Sequence, residues 1–367
     1  MKKFRIFIWV AALLCAVGLT VACTNSDGNT DAGESTAAVT ENRTDAAETT
    51  SAEETTAEET GMAETETETE PETESETETE PETELVIKGS YKMNIEYNTI
   101  DIGLGKTVRV LHASDTHLTL ADSRDDDRKV QLGRARAPGF PLAKRCLVEM
   151  ARASRDTGLP IMHTGDFIDF VSVANLEAVK EFTEENDCFT AAGNHEFSLY
   201  VGEAYEDAAY RNQSLDKVQA SFKNDIRMSS RVIDGLNFVA LDNGYYKFEA
   251  EQLAFLKEQV ALGLPIVLMI HTPLYDPAFY EDAMSRFHDS AYLCGVPDEL
   301  LENYAPGHRE YQAADAITKE TVSYIAGEPL VKAILTGHMH YDYESVFAER
   351  IPQICTNCTT LRVVEFK

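Results

Sequence analysis

Leu159-Pro160-Ile161-Met162-His163-Thr164-Gly165-Asp166-Phe167-Ile168-Asp169 runs an apolar segment straight into a glycine and two carboxylates. Leu159–His163 reads as a short buried strand. Gly165 lets the backbone turn sharply, and Asp166 presents two oxygens just past the strand end. The same handover recurs along the chain. Asp115-Thr116-His117 follows the run Thr107–Ala113, and Gly193-Asn194-His195-Glu196 follows Cys188–Ala192. His271 follows Ile266–Ile270, and Gly337-His338-Met339-His340 follows Ala333–Leu335. Each block alone is a weak signal. Five of the nine histidines fall inside the set, which makes the constellation informative.

Between these runs lie stretches with helical spacing: Leu142–Ser154, Ala174–Glu185, Leu215–Lys223, and Glu249–Leu262 with Leu253, Leu256 and Val260 on one face. Val232–Leu241 reads as two strand pieces around a Gly235 turn, and Ser345–Phe366 as further strands. Alternating strands and helices predict an α/β layered core. Ligand-type residues at the carboxyl ends of strands are where open α/β sheets form their sites. Leu118–Pro141 and Pro273–Gln312 read as long irregular loops flanking that edge.

Asp115 and His117 are two residues apart, as are His338 and His340. In an extended chain that spacing puts both side chains on one side. Asp166 can bridge two cations, and Asn194 offers an uncharged amide oxygen. Carboxylate, amide and imidazole together, with no cysteine among them, suit Mn, Fe or Zn better than a thiolate-lined centre does.

The blocks D-x-H, G-D-x-x-D, G-N-H-[DE], a lone His and G-H-x-H, in this order over residues 115–340, resemble the metallophosphoesterase superfamily, the calcineurin-like phosphoesterases. The resemblance implies a four-layer α/β/β/α sandwich of two mixed sheets. It implies two divalent or transition-metal ions. Asp115, His117 and His340 would hold one, Asn194, His271 and His338 the other, with Asp166 as the bridge. His195 matches the non-ligand histidine that protonates a leaving oxygen or steadies the phosphate, and Asp169 the carboxylate that orients it. The implied activity is hydrolysis of a phosphomonoester or phosphodiester by a metal-activated hydroxide. The alternative is a non-catalytic surface binding or scaffold protein on the same fold, which would be expected to have lost a ligand; none is lost.

Other polar residues read more plainly. His112 and His163 sit inside strand-like runs and are expected to be structural, and His288 and His308 to be surface positions. Glu196 is expected to support its loop. Arg134 and Arg136 are candidates to clamp a phosphate, since guanidinium binds it bidentately.

The 367-residue chain carries a net charge of −31, unevenly spread. Residues 24–84 hold 21 Asp and Glu against Arg43 alone, and residues 85–367 carry −14. Such an acidic body is not expected to have a nucleic-acid surface, which needs clustered Lys and Arg. Lys2, Lys3 and Arg5 precede an apolar stretch of 17 residues, Ile6–Ala22, the make-up of an export signal over residues 1–22. Leu19-Thr20-Val21-Ala22-Cys23 resembles a bacterial lipobox, with Thr20 where Leu is usual. It implies a lipid on Cys23, hence a membrane-anchored, extracytoplasmic protein; an uncleaved anchor or simple secretion are the alternatives. Residues 23–84 contain no aromatic residue and end in a Glu-Thr run broken by Pro71 and Pro81, so they are expected to be a disordered, extended tether. Residues 85–367 form the folded domain. Its five cysteines (Cys146, Cys188, Cys294, Cys355 and Cys358) are expected to be buried thiols or to hold one disulfide at most.

Overall fold

The apolar runs sort into two sheets in the computed structural model, which describes residue 87, residues 90–202 and residues 208–367. The described strands are β1 Asn94–Ile100, β2 Val108–Ala113, β3 Ile161–His163, β4 Cys188–Thr190, β5 Met228–Ile233, β6 Leu236–Leu241, β7 Ile266–Met269, β8 Val331–Thr336, β9 Tyr343–Phe347, β10 Ile351–Cys355 and β11 Thr360–Phe366. The first sheet has the order β1-β11-β2-β3-β4 and the second β5-β6-β7-β8-β10-β9. Both are mixed. In the first only the β11–β2 pair is antiparallel. In the second, β6, β7, β8 and β10 run parallel, with β5 and β9 antiparallel at the edges.

The period of two explains the layering. Leu236, Phe238 and Ala240 of β6 and Val267 and Met269 of β7 meet Val108, Val110, Met162, Phe189 and Phe366 of the first sheet in one core. The alternate residues Val239, Leu241, Ile266 and Leu268 pack outward against Leu256 and Ile325, on helices Ala250–Val260 and Ala316–Gly327. Strands buried on both faces read as continuous apolar runs, as these do. Helix Ala143–Thr157 buries Cys146, Met150 and Ala153 and packs on β2. The result is the expected α/β/β/α sandwich. Phe238 and Phe366 meet edge to face across the central layer, 5.8 Å between centroids; truncating such a core phenylalanine to Ala typically costs about 3–5 kcal/mol.

The turn at Asp234-Gly235 joins β5 to β6 with φ of 47° and 77°, the conformation a two-residue hairpin requires. The helix read at 215–223 stops at Gln219. A larger correction concerns the two stretches read as irregular. Leu118–Pro141 contains helix Asp127–Arg136, capped by Asp126, whose carboxylate accepts from Lys129 N at 2.9 Å. Pro273–Gln312 contains helix Pro277–Phe287, capped by Asp276, and the short helices Asp298–Leu301 and Pro306–Gln312. The five body cysteines are all free thiols. The signal, the tether and Cys23 lie outside the described residues. Among the described residues no helix is long and apolar enough to cross a membrane.

Candidate metal centre

The five blocks converge at one edge, where β2, β3 and β4 of the first sheet and β7 and β8 of the second end. The turns extend the ladders beyond the strands. Asp115 N donates to Gly165 O at 3.0 Å, His117 N to Asp166 O at 2.8 Å, and Gly337 N to His271 O at 2.9 Å. Asp115, His117, Asp166 and Asn194 come from the first sheet, and His271, His338 and His340 from the second.

Their donor atoms face a common interior. His117 Nε2 lies 3.0 Å from His340 Nε2, 3.4 Å from Asp166 Oδ2 and 3.7 Å from Asp115 Oδ1. His340 Nε2 is 3.3 Å from Asp115 Oδ1. On the other side of Asp166, His271 Nε2 is 3.2 Å from Asp166 Oδ2 and 3.2 Å from His338 Nδ1. Asn194 Oδ1 is buried without a hydrogen-bond partner. Two imidazole nitrogens held this close need a proton or a cation between their lone pairs, and an orphaned buried amide oxygen needs a donor or a cation. The residues present therefore fit metal ions.

The backbone departs from the expectation here. Asp115, His117, Asp166, His338 and His340 have φ of 54°, 49°, 56°, 71° and 55°. The paired residues lie past the ends of β2 and β8 in left-handed turns, so alternation along an extended chain is not what brings them together. Left-handed non-glycine residues cost about 1–3 kcal/mol each and cluster at functional sites. Close backbone approach makes room for the turns: a Cβ at Gly337 would overlap the Ser114 hydroxyl and the Asp115 carboxylate, and one at Gly165 would come 2.5 Å from Gly193 N.

Supporting contacts orient each ring. His271 Nδ1 donates to Thr164 O at 2.7 Å, which leaves Nε2 facing inward. Tyr246 Oη lies 2.7 Å from His338 Nε2, and Asn243 Oδ1 accepts from His271 N and Thr272 N. His195 Nδ1 donates to the backbone oxygen of Asp169 at 2.7 Å, and the Asp169 carboxylate is 3.4 Å away. That carboxylate sits closer to His117 Nδ1, at 3.1 Å, and takes two bonds from Arg136, at 2.7 and 2.8 Å. Asp169 thus holds His195 through its main chain and His117 through its side chain. The Arg136 fork is engaged on Asp169, and Arg134 is exposed on the same helix. Phe140 stacks on His117 with centroids 4.2 Å apart. Glu196 is buried and accepts from Gly193 N, Asp166 N and Phe167 N, the loop support expected of it. Sequence reasoning missed Phe140, Asn243 and Tyr246, which no local motif marks.

The electrostatics are those of a cation site. Burial opposes charge on Asp115, yet hydrogen bonds from His117 and His340 outweigh it and hold the carboxyl well below its ordinary range. Burial is likewise overcome at Asp166 by the His271 and His195 charges. Burial opposes a proton on His117, but its bonds to Asp115 and Asp169 push its pKa up to about 10. At His271 the Asp166 carboxylate overrides burial and raises the pKa to about 9. The carboxylates recruit whatever positive charge is at hand.

A sequence model of the calcineurin-like phosphoesterases matches residues 108–342, from the start of β2 to two residues past His340. No curated protein matches the chain. Similar solved structures include a dimetal phosphatase from Danio rerio (12% identity, TM-score 0.39, covering 68% of this chain and 88% of that one). A 5′-nucleotidase from Candida albicans is 14% identical at a TM-score of 0.34, covering 73% of this chain and 48% of its own. A phosphopantetheinyl hydrolase from Mycobacterium tuberculosis is 10% identical at 0.35, covering 71% and 90%. The match over residues 108–342 takes in every converging donor, and with it the chain belongs to the calcineurin-like phosphoesterase family, as a metal-dependent phosphoester hydrolase.

Proposed function

We propose that the chain binds two transition-metal ions, Mn, Fe or Zn, and uses them to hydrolyse phosphate monoesters or diesters outside the cytoplasmic membrane. The observation that carries the reading is the convergence of Asp115, His117, His271, His338 and His340 around Asp166, beside a buried Asn194 amide oxygen left without a partner. Asp115, His117 and His340 would hold one ion and Asn194, His271 and His338 the other, with Asp166 shared between them. Bound there, the ions supply Lewis acidity, acidifying the attacking water and neutralising phosphoryl oxygens. The chain's own residues do the rest. A carbonyl oxygen only accepts, so His195 carries its N–H on Nδ1, toward Asp169 O. Its Nε2 has no partner among the described residues and is the nitrogen left to meet substrate. Burial holds the His195 pKa below its ordinary value, so the negative charge of a bound phosphoryl group is what brings a proton to Nε2. From there it reaches the leaving oxygen. Phe140 screens the His117 face from water, and Tyr246 fixes the His338 ring.

The test is metal analysis with a panel of mononitrophenyl phosphate, bis-nitrophenyl phosphate and free nucleotides. Two ions per chain and turnover of an ester are expected. Asp166→Asn should abolish activity, and His195→Ala should lower turnover roughly 10²–10⁴-fold while keeping both ions. A protein that stays metal-free and inactive after reconstitution with Mn, Fe and Zn overturns the reading. The extracytoplasmic placement is supported by Lys2, Lys3 and Arg5, the apolar run Ile6–Ala22, and Cys23 beyond it. Labelled palmitate should enter the wild type and not Cys23→Ala.

A further inference from the structure

We infer that Arg136 is a positioning residue for one metal ion only, the one held by Asp115, His117 and His340; the inference rests on the two-metal reading above. Among the described residues, Asp169 is the one carboxylate on the outer nitrogen of a ligand imidazole: its Oδ1 lies 3.1 Å from His117 Nδ1. The other two supported rings lean on neutral groups, His271 on the Thr164 carbonyl and His338 on the Tyr246 hydroxyl. The Asp169 side chain is completely buried, and Arg136, 18% exposed, closes on it with Nε to Oδ2 at 2.7 Å and Nη2 to Oδ1 at 2.8 Å. A two-pronged bond of this kind fixes the plane of the carboxylate as well as its charge. With that plane fixed, Oδ1 stays on His117 Nδ1 instead of turning toward His195 Nδ1, 3.4 Å away. His117 then keeps its proton on Nδ1 and its Nε2 lone pair directed inward, the arrangement a metal-binding histidine needs.

The same excursion of chain grips His117 twice. Arg136 is the last residue of helix Asp127–Arg136, and four residues on, Phe140 lies flat on the His117 ring at 4.2 Å and 14°. Phe140 also meets His340 edge-on, at 5.7 Å. The ring contacts of this arm, through Phe140 and through Asp169, fall on His117 and His340, ligands of the same ion. Losing Arg136 therefore falls on one ion and spares the other.

The experiment titrates metal-free full-length protein with Mn²⁺ and follows free ion by electron paramagnetic resonance. Wild type should show two binding steps. Arg136→Ala should weaken one step 10–100-fold, the usual cost of removing a supporting partner of a ligand, and leave the other unchanged. Arg136→Lys should recover part of the loss, and Arg134→Ala should match wild type. Arg136→Ala combined with Asp169→Asn should be no worse than Asp169→Asn alone, because the two act through one contact. Unchanged binding in Arg136→Ala, or equal weakening of both steps, overturns the inference while leaving the two-metal reading standing. If Arg136→Ala does not fold, Arg136→Gln and the Asp169 cycle decide by the same criterion. A wild type that takes up fewer than two Mn²⁺ overturns the reading and the inference together, and is seen before any variant is made.

Discussion

At the scale of single residues, a histidine's role follows from what its two nitrogens touch. His112 lies inside β2, completely buried, with Nε2 3.0 Å from Thr164 Oγ1 and Nδ1 3.0 Å from Thr356 Oγ1. Burial, helped by the Arg362 charge, holds its pKa well below the ordinary value of 6.5. The sign of the pH effect follows. Between the depressed folded value and 6.5 the unfolded chain binds a proton that the native one does not, so stability falls as pH drops through that window. Above 6.5 both states are neutral there and pH has no lever on this residue. Relative to His112→Gln, which does not titrate, the wild type should lose stability as pH falls from 7.5 to 5, and not as it falls from 9 to 7.5. Urea unfolding of both proteins at these pH values measures it, and parallel pH profiles would refute the assignment. His195 differs by position alone: one nitrogen is tied to a carbonyl and the other has no partner among the described residues.

At the scale of elements, the ligand turns and the Glu196 that braces them were legible, and the long-range support was not. Each ligand block is contiguous, glycine-punctuated and set at the end of an apolar run, so local pattern finds it. Asp169 and Arg136 are 33 residues apart, Tyr246 and His338 are 92, and only the fold brings such pairs together. The helices inside Leu118–Pro141 and Pro273–Gln312 escaped for a different reason. Asp127–Arg136 buries only Gly133, so it lacks an apolar stripe to read. Its Asp126 cap, and Asp276-Pro277 at the start of the later helix, were the available signals. Strand β1 alternates weakly because it is an edge with one wet face. The turns themselves are tightly packed across the two sheets, and Gly337 shows how tightly. Gly337→Ala forces the second-sheet turn off the Asp115 carboxylate, so it should cost about 1–3 kcal/mol and lose metal. Gly263, at φ 71° with open space where a methyl would go, precedes β7 at the end opposite its ligand turn. Gly263→Ala should carry only the left-handed penalty of about 1–2 kcal/mol and keep its metal. Metal content after dialysis distinguishes the two, and equal retention would rule out the role given to the close approach.

At the scale of the whole molecule, the site is where the two sheets are joined by charge rather than by apolar packing. The first sheet supplies every carboxylate, Asp115, Asp166 and Asp169, and the second supplies only imidazoles, His271, His338 and His340. The ions proposed above would therefore tie one sheet to the other at the edge where the central core ends. An ion that binds the folded chain and not the unfolded one stabilises it by about 2.7 kcal/mol per site at a hundredfold excess over Kd. The two proposed sites would together contribute roughly 5 kcal/mol, and a domain of this size shifts about 2 °C per kcal/mol. Chelation should accordingly lower Tm by roughly 10 °C, and Mn²⁺ should restore it in a concentration-dependent way. His271→Ala should recover only part of that shift, since it removes a second-sheet donor from one ion and leaves the other ion's set complete. Scanning calorimetry of metal-loaded, chelated and reloaded protein provides the measurement. A chelated protein melting at the loaded temperature would mean that the sheets are held together without help from the centre.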